Sequence, residues 1–162
     1  MRAYLGLGSN LGDRWAYLHL AVAGLAEVDP GLVVSPVYET APVGGPAQGA
    51  YLNCVVRIET DLDPFELLAL AHRLEDAAGR RRTVKDAPRT LDLDVLLIEG
   101  RELTGPELTV PHPRMTERGF VLAPLEDLDP SLVPADWRSR ITGSSSLGDD
   151  VRSIGTLELN RG

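Results

Sequence analysis

Cysteine occurs once, as Cys54, so no disulfide can form within the chain, and the scarcity points to a reducing, cytoplasmic setting. Long apolar runs are missing as well: none approaches the roughly 20 residues that a spanning helix needs. The opening MRAYLGLGSN has no apolar stretch followed by a small-residue cleavage site, so no signal peptide is expected. Cations are outnumbered, with Lys+Arg at 16 against Asp+Glu at 24, and the net charge of −8 argues against nucleic acid or an anionic membrane as partner. Aromatic residues make up only 5%, too few for a sheet that stacks RNA bases.

What is present fits one globular domain: 162 residues, of which 43% are apolar. Residues 2–8 read as a strand that ends among Gly6, Gly8 and Gly12, around Ser9 and Asn10. A helix from Asp13 to Glu27 follows, with Trp15, Leu18, Val22 and Leu25 at helical spacing and Asp13 as its cap. A second strand is expected over Val33–Thr40, then a Gly/Pro-rich loop over 41–49, then a third strand from Tyr51 to Thr60. In that third strand Leu52, Cys54, Val56 and Ile58 share a face, which makes Cys54 a small core residue. The second helix is punctuated by Asp63, Pro64 and Gly79, with Leu67, Leu68, Ala71, Leu74, Ala77 and Ala78 as its stripe. A fourth strand spans Thr90–Ile98, with Leu91, Leu93, Val95 and Leu97 toward the core and Asp92 and Asp94 opposite.

This order, β-α-β-β-α-β, predicts an α+β ferredoxin-like core. A further strand candidate lies at Glu107–Val110, a short helix after Pro113, and the apolar residues of FVLAPLEDL are expected to pack at the sheet edge. Residues 1–138 read as a single domain, and the polar, Gly/Ser-rich stretch 139–162 as a loosely ordered tail.

In the split βαβ topology the polar residues gather at one end of the sheet. Ser9 and Asn10 end the first strand, Thr40 ends the second, Tyr51 and Asn53 start the third, Glu75 and Arg80 leave the second helix, and Arg89, Asp92 and Asp94 open the fourth. Two aspartates two apart on a strand lie about 6.6 Å apart on one face, a spacing that can hold paired divalent ions. Magnesium prefers oxygen ligands and is usually held by one or two carboxylates together with substrate phosphates. A lone D-x-D is as readily a solvated strand face. Here Arg80, Arg81, Arg82, Lys85 and Arg89 stand close by in sequence, which favours a compact anionic ligand.

Five motifs in order then resemble one family: GSNLGD at 8–13, YETAP at 38–42, Y-x-N at 51–53, RTLDLD at 89–94 and VPHPRMTERGF at 110–120. From about Arg2 to Pro130 the chain is similar to the 6-hydroxymethyl-7,8-dihydropterin pyrophosphokinases, Mg-dependent enzymes of folate synthesis. The resemblance implies transfer of the diphosphate of ATP to a pterin alcohol, with two magnesium ions on Asp92 and Asp94. It implies a pterin pocket of Thr40, Val43, Tyr51, Asn53, Asp92 and Phe120. It places Glu75, Arg80, Arg89, Thr109, His112 and Arg118 around ATP, with Arg80 and Arg89 also in catalysis beside the aspartates. Family members often carry Trp-Gly or Asn-Gly before the Pro-Arg pair, where this chain has Asp86-Ala87. Two rivals stand beside this reading. A nucleotidyltransferase would also pair G-S with D-x-D, but closer together than Ser9 and Asp92; a non-catalytic ferredoxin-like binding module would have no need of Asp92, Asp94, His112 and Arg118 together.

Overall fold

The structure is a computed structural model that describes residues 1–40, 50–79, 90–142 and 152–157. In chain order it contains β1 (Arg2–Ser9), α1 (Arg14–Val28), β2 (Val33–Val34), β3 (Val37–Thr40), β4 (Tyr51–Glu59), α2 (Pro64–Ala77) and β5 (Asp92–Ile98). Then come α3 (Gly119–Leu128), α4 (Trp137–Thr142) and β6 (Arg152–Gly155), with 3-10 turns at Met115–Glu117 and Pro130–Leu132. Helix starts follow the capping signals. Asp13 accepts a hydrogen bond from the Ala16 amide at the head of α1. Asp63 accepts from the Phe65 and Glu66 amides while Glu66 accepts in return from the Asp63 amide, a full capping box at the head of α2.

The strands form a six-stranded sheet in the order β5-β1-β4-β3-β6, with β2 also paired to β4. Because β4 runs antiparallel to both β1 and β3, those two are parallel with β4 between them, the expected ferredoxin-like arrangement. The strand expected over Val33–Thr40 is broken into β2 and β3 at Ser35-Pro36. Proline cannot supply a ladder N–H there, and Ser35 fills the gap by accepting the Val55 amide at 2.9 Å and donating its own N–H to the Val55 carbonyl at 2.9 Å.

The sheet is buried on both faces. One face packs Leu5, Leu7, Cys54, Val56 and Ile58 against Leu18 and Leu25 of α1 and Leu67 of α2. Burial alone pushes the Cys54 thiol up to about 12, as expected of an inert core residue. The other face carries Tyr4, Val55 and Leu96, covered by Leu122 and Leu125 of α3 and by Trp137 of α4. The segment FVLAPLEDL is therefore not an edge filler. It belongs to a ten-residue helix lying across the second face, with Pro124 inside it.

Three further expectations change. The β1–β5 register shifts between Tyr4 and Leu5, so Ile98 rather than Leu97 joins the first core. The strand expected at Glu107–Val110 is a single bridge between Leu103 and Val110. In the region read as a tail from 139, α4 runs on to Thr142, β6 pairs with β3, and Leu157 is buried against the first core.

Candidate functional site

The strand register builds the site. Gly8 of β1 is paired on one side with Asp92 of β5 and on the other with Asn53 of β4, and Asn53 is paired with Tyr38 of β3. Paired residues point to the same face, so Asp92, Asn53 and Tyr38 form one row, with Gly8 inside it. Strands lie about 4.8 Å apart, which puts Asp92 and Asn53 about 10 Å apart across a position that has no side chain. The next row holds Asp94, Gly6 and Val55. Glycine thus stands beside both aspartates, although at Gly6 the space is filled by the Leu96 side chain, 3.4 Å from where a Cβ would lie.

On the far side of this gap lies a polar cluster. The Asn53 side-chain amide donates to Thr40 Oγ1 at 2.9 Å, and both residues are buried. That bond fixes the amide orientation and turns Oδ1 toward β1: a Cβ at Gly8 would come within 3.0 Å of Asn53 Oδ1 and 3.6 Å of the Tyr51 ring. Thr40 and Tyr51 are register partners on the last rung of β3 and β4. Phe120, half-buried at the start of α3, packs into the core on this same side of the sheet. Tyr38 donates to Asp127 of α3; burial is the main reason its phenol is pushed above the usual range, and the Asp127 bond adds to it.

On the near side, at the outer edge of β5, lies a cavity of about 440 Å³. Its walls come from three places: His72 and Glu75 of α2, Asp92 to Val95 of β5, and the segment from Gly105 to Arg118 that includes Thr109 and His112. Glu75 is 1% exposed, and its Oε2 accepts the Leu93 amide at 3.1 Å, so a buried carboxylate grips β5 between its two aspartates. The His112 amide donates to the Leu96 carbonyl at 2.7 Å and ties the other wall to the same strand. His112 Nδ1 accepts the Arg114 amide at 3.2 Å, leaving the proton of the neutral ring on Nε2. Burial lowers its pKa, and the Arg118 and Arg114 charges push in the same direction. Arg118 lies 4.0 Å from Asp94 Oδ2 and 5.6 Å from the Phe120 ring centre, so this cation links the cavity to the aromatic side.

Of the residues expected to act, the structure brings together Glu75, Asp92, Asp94, Thr109, His112 and Arg118 around one cavity, and Thr40, Tyr51 and Asn53 in a second cluster beyond Gly8. Val43, Arg80 and Arg89 lie outside the described residues. Sequence reasoning did not pick out His72, and it took Gly8 for a turn glycine rather than a position inside the sheet between Asp92 and Asn53. The first was visible as the residue one helical turn before Glu75; the second needs the strand register, which no local pattern supplies.

The donors at the centre are a carboxylate pair: among the described residues no three or more His, Cys, Asp or Glu side chains converge as metal ligands. Such a pair fits a hard ion that completes its shell with water and phosphate oxygens, rather than a closed protein cage. No described helix is long and apolar enough to cross a membrane.

Comparison with known proteins bears directly on this site. The profile of the family described as 7,8-dihydro-6-hydroxymethylpterin-pyrophosphokinase matches residues 4–130. The chain belongs to this family. A relative from Bacillus subtilis, named 2-amino-4-hydroxy-6-hydroxymethyldihydropteridine pyrophosphokinase, is 51% identical over 128 residues, 78% of this chain and 77% of its own length. One of the same name from Methylorubrum extorquens is 45% identical over 135 residues, 82% of this chain and 85% of the relative. Among solved structures, Plasmodium falciparum HPPK-DHPS, crystallised with pterin and p-hydroxybenzoate, shares the fold with a TM-score of 0.65 at 16% identity. That alignment covers 94% of this chain and 46% of the Plasmodium chain, so this protein spans about half of that structure's length. The pyrophosphokinase match contains every residue placed in the site and ends before α4 and β6.

Proposed function

We propose that the protein transfers the diphosphate of ATP to the hydroxymethyl group of 6-hydroxymethyl-7,8-dihydropterin, with release of AMP, as a step of folate biosynthesis. The observation that carries the reading is the aspartate pair standing between two compartments. A nucleotide-sized cavity lies at the outer edge of β5, and a buried amide–hydroxyl pair lies across Gly8. Catalysis of this kind consists mainly of holding two substrates in line across a charged centre.

The pterin would lie on the Asn53 side. Asn53 presents a donor and an acceptor to the edge of the heterocycle, held in orientation by Thr40, while Tyr51 and Phe120 offer flat apolar surface; Val43 is assigned to this pocket by the family resemblance alone. ATP would occupy the cavity, with Glu75, Thr109, His112 and Arg118 around it and Arg80 and Arg89 supplying guanidinium groups for the moving diphosphate. The pterin alcohol oxygen attacks the β-phosphorus; that O–P bond forms as the bond from the β-phosphorus to the bridging oxygen of AMP breaks. The alcohol proton leaves to solvent or to an aspartate. Asp92 and Asp94 are the residues that would hold two magnesium ions, which when bound supply charge neutralisation and polarisation of phosphate oxygens. His112, neutral with its proton on Nε2, can donate to a phosphate or ribose oxygen without adding charge. The lone cysteine, buried and inert, suits work in the cytoplasm.

The test is product analysis. Incubated with Mg-ATP and the reduced pterin alcohol, the protein is expected to release AMP in step with pterin diphosphate. Release of inorganic pyrophosphate in place of AMP would identify a nucleotidyltransferase and overturn the reading.

A further inference from the structure

Beyond the site just described, one cation does something that substrate chemistry does not explain. Arg14 is the first residue of α1, and that first turn contains no acidic residue. A helix N-terminus disfavours positive charge, so α1 begins with a residue poorly suited to its own electrostatics. The guanidinium turns away from the helix. Its Nη1 donates to the Ala50 carbonyl at 2.9 Å and to Glu39 Oε2 at 3.4 Å. Both side chains of this ion pair are largely covered, Arg14 at 31% and Glu39 at 28% exposure.

The two acceptors hold matching places in the sheet. Glu39 immediately precedes Thr40, and Ala50 immediately precedes Tyr51; Thr40 and Tyr51 are partners on the last rung between β3 and β4. Successive strand residues point to opposite faces, so Arg14 grips the rung from the α1 side while Thr40 and Tyr51 face the other way, toward Asn53. One nitrogen therefore bridges the ends of the two strands at the pterin cluster, from the opposite face of the sheet.

We propose that Arg14 is a positioning residue for pterin binding: by tying Glu39 to Ala50 it sets the Thr40–Tyr51 rung and, through Thr40, the orientation of the Asn53 amide. This rests on the assignment of the pterin to that cluster. Guanidinium geometry is suited to the task, because it can hold a carboxylate and a carbonyl at fixed directions that a lysine ammonium does not define.

The experiment is a calorimetric measurement of binding to Arg14→Ala, Arg14→Lys and Glu39→Gln, with 6-hydroxymethylpterin and with a non-hydrolysable Mg-ATP analogue as separate ligands. Arg14→Ala is expected to weaken pterin binding about three- to tenfold, the scale of one or two side chains newly left to be ordered on binding. ATP-analogue affinity and kcat at saturating pterin should stay within about twofold of the parent. Arg14→Lys should recover part of the loss, and Glu39→Gln, which keeps a carbonyl acceptor, should lose less than Arg14→Ala. Unchanged pterin affinity in Arg14→Ala overturns the inference. So does an equal loss for both ligands with a lowered Tm, which would make Arg14 a general structural contact. Failure of the parent enzyme to release AMP would strike the proposed activity instead, and the two failures are read in separate assays.

Discussion

The smallest decisive feature is the pair of glycines beside the aspartates. Gly8 sits between Asp92 and Asn53 in the sheet, and the cost of filling it is legible: a Cβ there would press on Asn53 Oδ1 at 3.0 Å. Its backbone is not in the left-handed region, so alanine meets no conformational penalty and its effect should fall on the amide alone. Gly8→Ala is expected to raise the pterin KM about tenfold with Tm little changed, as steady-state kinetics and a thermal melt would show. Asp94 is a different case. Its carboxylate faces the cavity rather than the core, so its loss should leave the fold intact. Asp94→Ala should lower kcat about 100-fold or more by removing a carboxylate proposed to hold magnesium, measured as AMP released per minute. Near-parental turnover would contradict the metal assignment.

Elements are set by their ends and by their contacts. At the head of α2, hydrogen bonds from the backbone amides of the first turn depress the Asp63 pKa below its usual 3.8. The capping contribution is therefore fully present above 3.8 and is lost as pH falls through the lower folded-state value. An asparagine at this position could cap without titrating, so Asp63→Asn is expected to flatten the acid limb of Tm against pH between about pH 2 and 5 while preserving Tm at neutrality. The α1–α2 contact is tighter than sequence suggests. A Cβ on Gly24 would lie 2.3 Å from Leu74 Cδ2, 3.1 Å from Cδ1 and 3.3 Å from Cγ. Alanine would gain about 0.5–1 kcal/mol of helix preference there. Overpacking costs about 1–3 kcal/mol and should dominate. Gly24→Ala is therefore expected to be destabilising in urea denaturation, with Leu74→Ala in the same chain restoring part of the loss.

The whole molecule is more than a ferredoxin-like core. The second face of the sheet is closed by α3 and α4, and Trp137 links them: its ring is buried beside Leu122 and Leu125, and Nε1 donates to Glu126 at 2.7 Å. Closing that face turns an ordinary half-buried sheet into one buried on both sides, which is why Asn53 and Val55 are buried as well as Cys54. Trp137→Ala is expected to cost about 3–5 kcal/mol in chemical denaturation, the range for a large buried aromatic. A loss below about 1 kcal/mol would show that the second core is not a stability element.

Much of this protein could be read along the chain. Strand and helix periods, the Asp63–Pro64 start of α2 and the D-x-D on an apolar strand are local patterns, and local patterns reflect backbone geometry that neighbouring residues alone impose. Other features could not be read locally. The apolar run FVLAPLEDL is expected at the sheet edge, yet with Pro124 inside it the segment is helical and covers Tyr4, Val55 and Leu96. A polar composition hid β6, which is held by the open edge of β3 rather than by its own sequence. Above all, the sequence names Asp92, Asn53 and Glu39 without saying that Gly8 separates the first two or that Arg14 ties the third to Ala50. Those relations depend on strand register and on which face each side chain takes, and both are settled only when distant segments pair and exclude water together.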